Sequence, residues 1–90
     1  MLIEVDPAKD AANIRKHGIS LGRFTEMDFD ATLSGVDAQH STGTETRWIF
    51  FGPISGQLWV AVVTFRGSVT RVISLRPASH KERRMYGDST

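Results

Sequence analysis

The chain contains no cysteine among its 90 residues. Thiol catalysis, thiolate zinc sites, disulfide support and haem attachment through paired cysteines are thereby excluded. The same absence suits a reducing compartment, so the cytoplasm is the expected location. Long apolar runs are missing too. The longest is Leu58 to Val63, whereas a membrane-spanning helix takes about 20 residues. The opening MLIEVDPAKD is acidic where a secretory signal starts basic and turns apolar, so neither export nor membrane association is expected. Proline is scarce, at three residues, and no linker, repeat or low-complexity tract interrupts the chain, so residues 1–90 are expected to form one domain.

Hydrophobic residues make up 40% and charged residues 23%, a balance that belongs to folding chains rather than disordered ones. The net charge of +1 conceals a division along the chain. From Met1 to Asp37 there are 4 basic and 7 acidic residues, a net −3, and from Ala38 to Thr90 there are 7 basic and 3 acidic, a net +4. Six of those seven are arginine. Arginine suits phosphate because its planar fork donates paired hydrogen bonds and never loses its charge. The same residues could equally decorate a solvated sheet face.

Asp6-Pro7 reads as a helix start and Gly18 as its stop, predicting a helix over Pro7 to His17. Its apolar stripe is thin, while Lys9, Asn13, Lys16 and His17 share one flank. His17 falls at the helix C-terminus, where the dipole favours the protonated ring. Ser20 resembles a second cap, with Ile19 and Phe24 as a hydrophobic staple, predicting a helix over Leu21 to Phe29. Gly22 weakens that helix by up to about 1 kcal/mol. Asp30 to Thr46 reads as a long loop. Three strand-like runs follow: Thr46 to Gly52, Gln57 to Phe65 and Ser68 to Arg76. They predict an antiparallel meander, with Leu2 to Val5 as an added edge. Ser79 and Glu82 form a capping box for a last helix reaching about Tyr86. The expected fold class is therefore α+β, a small antiparallel sheet with two N-terminal helices and one C-terminal helix.

Neither a phosphate-binding glycine loop nor a metal-ligand motif is present, and His17, His40 and His80 are scattered, so no metal or other cofactor is expected. What remains is Lys16, His17, Glu45, the arginines Arg47, Arg66, Arg71 and Arg76, then Glu82 and Tyr86. These are the residue types that cleave RNA through its own 2′-hydroxyl: a base for the 2′ proton, cations for the phosphorane charge and an acid for the 5′ oxygen. Strand parity sets Arg71 on the face opposite Ser74 and Arg76 unless a bulge intervenes. Glu82 also has its capping-box role. Trp48 and Trp59, inside apolar strands, read as core rather than base-stacking platforms.

The order of these motifs resembles the BrnT toxins of bacterial type II toxin–antitoxin systems. The resemblance rests on Asp6-Pro7-Ala8-Lys9, on Asn13 with Lys16-His17-Gly18-Ile19-Ser20, and on Glu45 and Arg47. It continues through Arg71-Val72-Ile73-Ser74 with Arg76, and Glu82-Arg83 with Tyr86, so that it spans nearly the whole chain. It implies a RelE-like fold and a ribonuclease that arrests translation. It further implies a BrnA-like antitoxin as partner, in a heterotetramer that reaches operator DNA only through the antitoxin. Carried over residue by residue, it nominates Lys16, His17, Glu45, Arg71, Arg76 and Glu82 as catalytic. Lys9, Arg47 and Tyr86 are nominated for RNA binding, and Arg66 joins them on its chemistry. Three departures stand out: Leu21-Gly22 where the family commonly has an aromatic after the serine, Glu45-Thr46-Arg47 where an adjacent Glu-Arg pair is usual, and Pro77 where a basic residue is expected. The alternative implied by the same residues is a non-cleaving module that binds RNA or antitoxin and serves promoter regulation.

Overall fold

Local rules place the first helix. Asp6 is extended and its carboxylate accepts the Ala8 N–H at 3.3 Å, Pro7 occupies the first turn, and Gly18 closes α1 (Pro7–His17) at φ +72°. That left-handed turn lets the Gly18 N–H reach the Ile14 carbonyl at 2.8 Å. In the computed structural model, which describes residues 1–89, α1 follows a short strand β1 (Leu2–Glu4). After α1 come two 3-10 turns (Leu21–Glu26 and Phe29–Ala31), then β2 (Leu33–Val36), β3 (Trp48–Ile54), β4 (Gln57–Arg66), β5 (Val69–Pro77) and α2 (His80–Ser89).

The expected second α-helix is thus replaced by 3-10 turns. Leu21, Phe24 and Met27 recur every third residue and are all buried, 0, 1 and 3% exposed. Three residues per turn stacks them on one side of the segment, which an α-helix would fan apart. Local polar groups support the tighter winding: Ser20 Oγ accepts the Gly22 N–H, and the Thr25 hydroxyl donates to the Gly22 carbonyl, both at 3.2 Å. From α1, the Asp10 carboxylate holds the entry by accepting the Leu21 N–H at 2.7 Å and the Ser20 hydroxyl at 3.0 Å.

The sheet has five strands in the order β1-β5-β4-β3-β2. The meander of β3, β4 and β5 is antiparallel as expected, but β1 lies parallel to β5, with Leu2 opposite Val69, so the sheet is mixed. Parallel pairing needs a crossover, here the whole chain between the first strand and the last, and no local signal encodes it. The expected loop over residues 30–46 also contains a strand, β2, paired antiparallel to β3 with Val36 opposite Trp48. Ser55 and Gly56, with φ of +50° and +81°, make a two-residue hairpin turn that extends β3 through Pro53 to Ile54. At the other end the last helix continues past Tyr86 to Ser89.

One sheet face packs against the 3-10 turns. Ala61, Val63, Val72 and Leu75 meet Ile19, Leu21, Phe24 and Met27, with Trp48 and Trp59 packed on the margin of this core. Phe24, Phe29 and Phe50 join edge to face, with ring centroids 5.3 to 6.3 Å apart. The opposite face, partly covered by α2, carries the charged residues. Here the Tyr86 ring lies 5.4 Å from Phe51, and its hydroxyl donates to the Ala31 carbonyl.

Candidate functional site

A β-bulge decides which side chains share that second face. Along β4 and β5 the pairs run Val60 with Arg76, Val62 with Ser74, then Val63 with Val72, leaving Ile73 as an extra residue, before Thr64 pairs with Arg71. Directly opposed residues lie on the same side of a sheet. Val60, Val62, Thr64 and Arg66 alternate out to one face, so Arg71, Ser74 and Arg76 join them there. The extra residue removes the parity conflict expected for an unbulged strand. Arg47, just before β3, completes the set by lining a hollow with Val62 and Ser74.

Each of these arginines already has a carboxylate. Arg76 makes a two-pronged pair with Glu82, at 2.7 and 2.9 Å. Arg71 pairs with Glu4, its register partner across β1 and β5. Glu45 lies 3.4 Å from Arg66 and 3.8 Å from Arg47. Glu82 is also the capping-box acceptor: it takes the Ser79 N–H at 2.8 Å, while its own N–H reaches Ser79 Oγ at 3.1 Å. The Arg76 hydrogen bonds, followed by the Ser79 N–H, outweigh its partial burial and hold the Glu82 carboxyl at about 2. The same bonds raise Arg76 above its ordinary value. Glu82 is therefore an anion that fixes a guanidinium and has no proton to give near neutrality.

On the other flank, α1 closes the part of the β5 edge that three-residue β1 leaves unpaired. Asn13, 7% exposed, does this with one amide: its Nδ2 donates to the Leu75 carbonyl at 2.8 Å and the Ile19 carbonyl at 2.9 Å, and its Oδ1 accepts the Leu75 N–H at 3.2 Å. The side chain takes the place of a neighbouring strand. With Asn13 docked, Lys9, Lys16 and His17 line a shallow hollow of about 270 Å³ together with Ile73 and Ser74. His17 is held below its ordinary pKa, first by desolvation and then by the positive charges of Lys16 and Arg76.

A second hollow of the same size adjoins it, lined by Asp37, His40, Arg47 and Val62 with the same Ile73 and Ser74. Ile73 and Ser74 belong to both, so the two hollows adjoin at the bulge of β5 as a two-part trough. The loop between β2 and β3 that walls this side is tightly bonded. The Asp37 N–H donates to the Arg47 carbonyl at 2.8 Å, and Ser41 Oγ donates to the Asp37 carbonyl at 2.7 Å and accepts the Arg47 N–H at 2.9 Å. His40 Nδ1–H donates to the Asp37 carboxylate at 2.8 Å.

Of the residues nominated from sequence, Lys9, Lys16, His17 and Arg47 line the trough. Arg76 is close enough for its charge to act on His17. Arg71 sits toward β1, and Glu45 with Arg66 toward the far end of β4. Tyr86 is engaged under α2 at Ala31 and Phe51, so its visible part is to anchor that helix. Sequence reasoning missed Asp37 and His40. Their three-residue spacing inside a polar loop is a weak signal, because only the closed loop brings the carboxylate onto the ring.

The chain matches, over residues 6–82, the family described as the ribonuclease toxin BrnT of type II toxin–antitoxin systems. The chain belongs to the BrnT family. A search of curated proteins gives no match. The matched span of this BrnT chain takes in α1, the loop with His40, the whole meander and the Arg76–Glu82 pair, and stops before Tyr86. Among the described residues, no group of three His, Asp or Glu is placed to hold a metal ion, and no helix is long and apolar enough to cross a membrane.

Proposed function

We propose that this chain is a metal-independent endoribonuclease toxin of the cytoplasm. It cleaves RNA by attack of a 2′-hydroxyl on the adjoining phosphate, so inhibiting translation, and a BrnA-like antitoxin neutralises it. The assembly is a heterotetramer that reaches operator DNA through the antitoxin. The observation that carries this reading is the pair of hollows at the Ile73 bulge, where His17, Lys9 and Lys16 line one and Arg47 the other, with Arg76 near enough for its charge to act on His17. Arg76, fixed by Glu82, and Arg71 stabilise the phosphorane, His17 or Lys16 moves a proton, and Lys9, Arg47 and Arg66 track the RNA backbone, with Glu45 orienting the last two. Tyr86 supports this surface by holding α2 beside it.

The test is cleavage of purified, ribosome-free RNA in excess EDTA, with Arg76→Ala and His17→Ala made in parallel. Cleavage by the parent chain that is lost in either variant is the expected result. Intact RNA with binding retained overturns cleavage of free RNA, in favour of a ribosome-dependent enzyme or a non-cleaving RNA- or antitoxin-binding module. One observation favours that second reading: all four sheet arginines already have carboxylate partners, so an incoming phosphate must share or displace them.

A further inference from the structure

The pairing of Asp37 with His40 has no need to exist for the loop to close, since Ser41 and the Asp37 and Arg47 backbone groups already staple it. Its geometry is that of an oriented imidazole. Asp37 is 9% exposed, and its carboxylate takes both the His40 backbone N–H at 3.3 Å and the ring Nδ1–H at 2.8 Å. The His40 side chain is itself 61% exposed, so the ring is anchored at one nitrogen and open at the other. Fixing Nδ1–H leaves Nε2 as the nitrogen able to exchange a proton with a ligand. When the ring is protonated it is ion-paired to a buried carboxylate. The hollow it lines also holds Asp37 from its own loop, Arg47 from the strand entry, and Val62, Ile73 and Ser74 from β4 and β5, whose arginines Arg66, Arg71 and Arg76 share that sheet face.

His17, on α1, lines the neighbouring hollow, which shares Ile73 and Ser74 with the one His40 lines. Cleavage through a 2′-hydroxyl needs two proton-transfer groups on opposite sides of one phosphate, because the attacking and leaving oxygens are in line. We propose that His40, positioned by Asp37, is the catalytic general acid for the 5′ leaving oxygen, and that His17 is the base facing it. The 2′ oxygen bonds to phosphorus and its proton passes to His17. The bond from phosphorus to the 5′ oxygen breaks, and that oxygen takes the proton from His40 Nε2. The products are a 2′,3′-cyclic phosphate and a free 5′-hydroxyl, and solvent exchange restores both rings. This inference rests on the ribonuclease reading given above.

The experiment compares two RNA substrates of one sequence: one with the natural 5′-oxygen at the scissile bond, the other with a bridging 5′-sulfur, which departs without a proton. His40→Gln is expected to slow the natural substrate by about 100- to 10,000-fold, the usual worth of a positioned acid, and the sulfur substrate by less than about 10-fold. Asp37→Asn, a change in a positioning residue, should show the same split more weakly, and added imidazole should restore cleavage of the natural substrate by His40→Gly. Equal slowing of both substrates without imidazole rescue, or no slowing of either, overturns the assignment of His40 and leaves the ribonuclease reading standing. A parent chain that cuts neither substrate overturns the ribonuclease reading as well.

Discussion

Replacing Asn13 by alanine probes how the trough is held together. The amide serves two buried carbonyls and one buried N–H, those of Ile19 and Leu75. Each hydrogen bond is worth about 1 kcal/mol net, and a group left buried without a partner costs about 1 to 3 kcal/mol. Some of the β5 edge can rehydrate once the side chain is gone, so Asn13→Ala should cost about 3 kcal/mol in all. At about 0.05 to 0.15 kcal/mol per residue, a domain of this size holds about 5 to 13 kcal/mol, which makes this loss a large share. Urea unfolding followed by circular dichroism is the assay. With a slope of about 1 kcal/mol per molar, the midpoint should fall by about 3 M with the slope unchanged. Amide hydrogen exchange at Leu75 should accelerate. Asn13→Asp should be no better at pH 7, because its carboxylate sets negative oxygens against two carbonyls, and it should recover partly in acid, where a carboxyl can donate. A loss under about 1 kcal/mol with Leu75 exchange unchanged would refute the view that Asn13 replaces a strand.

Glu82 gives an acid-limb prediction. Its carboxyl is depressed to about 2 in the fold against about 4.3 in an unfolded chain, so its stabilisation is complete above the unfolded value and disappears as pH falls through the folded one. Allowing for solvent screening of a pair that is partly exposed, about 1 to 2 kcal/mol should go, and Glu82→Gln should flatten stability between about pH 5 and 2 in acid titrations. His17 is held down in part by Lys16, so Lys16→Met should raise the His17 pKa in an NMR titration; no upward movement would show that Lys16 has no part in it, leaving burial and Arg76. At Gly52 an added methyl would lie 2.9 Å from Thr32 Cβ and 2.0 Å from its Oγ1. Thr32 is tethered by its hydroxyl to the Asp28 carbonyl at 2.7 Å, so Gly52→Ala should cost about 1 to 3 kcal/mol by overpacking, read as a lower melting temperature. An unchanged melting temperature would mean that the β2 entry yields freely.

What the sequence determined by itself is what short-range chemistry can specify. Asp6, Pro7 and Gly18 delimit α1, Ser79 and Glu82 cap α2, and the β-branched and aromatic runs mark the meander, because each signal acts within a few residues of the backbone group it satisfies. The ordered motifs from Asp6 to Glu82 were enough to indicate the family. The three-residue spacing of Leu21, Phe24 and Met27 was legible too, but its meaning depends on the sheet that buries them. Tertiary structure decided the rest. Strand β2 exists because β3 offers an edge, β1 runs parallel because it meets the last strand rather than the next, and the Ile73 bulge appears only when β4 and β5 are set in register. That bulge turns arginines of mixed parity into one charged face, and the closed loop carries Asp37 onto His40. Both depend on partners far apart in the chain or on a loop closing over itself, and composition and periodicity carry no record of which distant groups will meet.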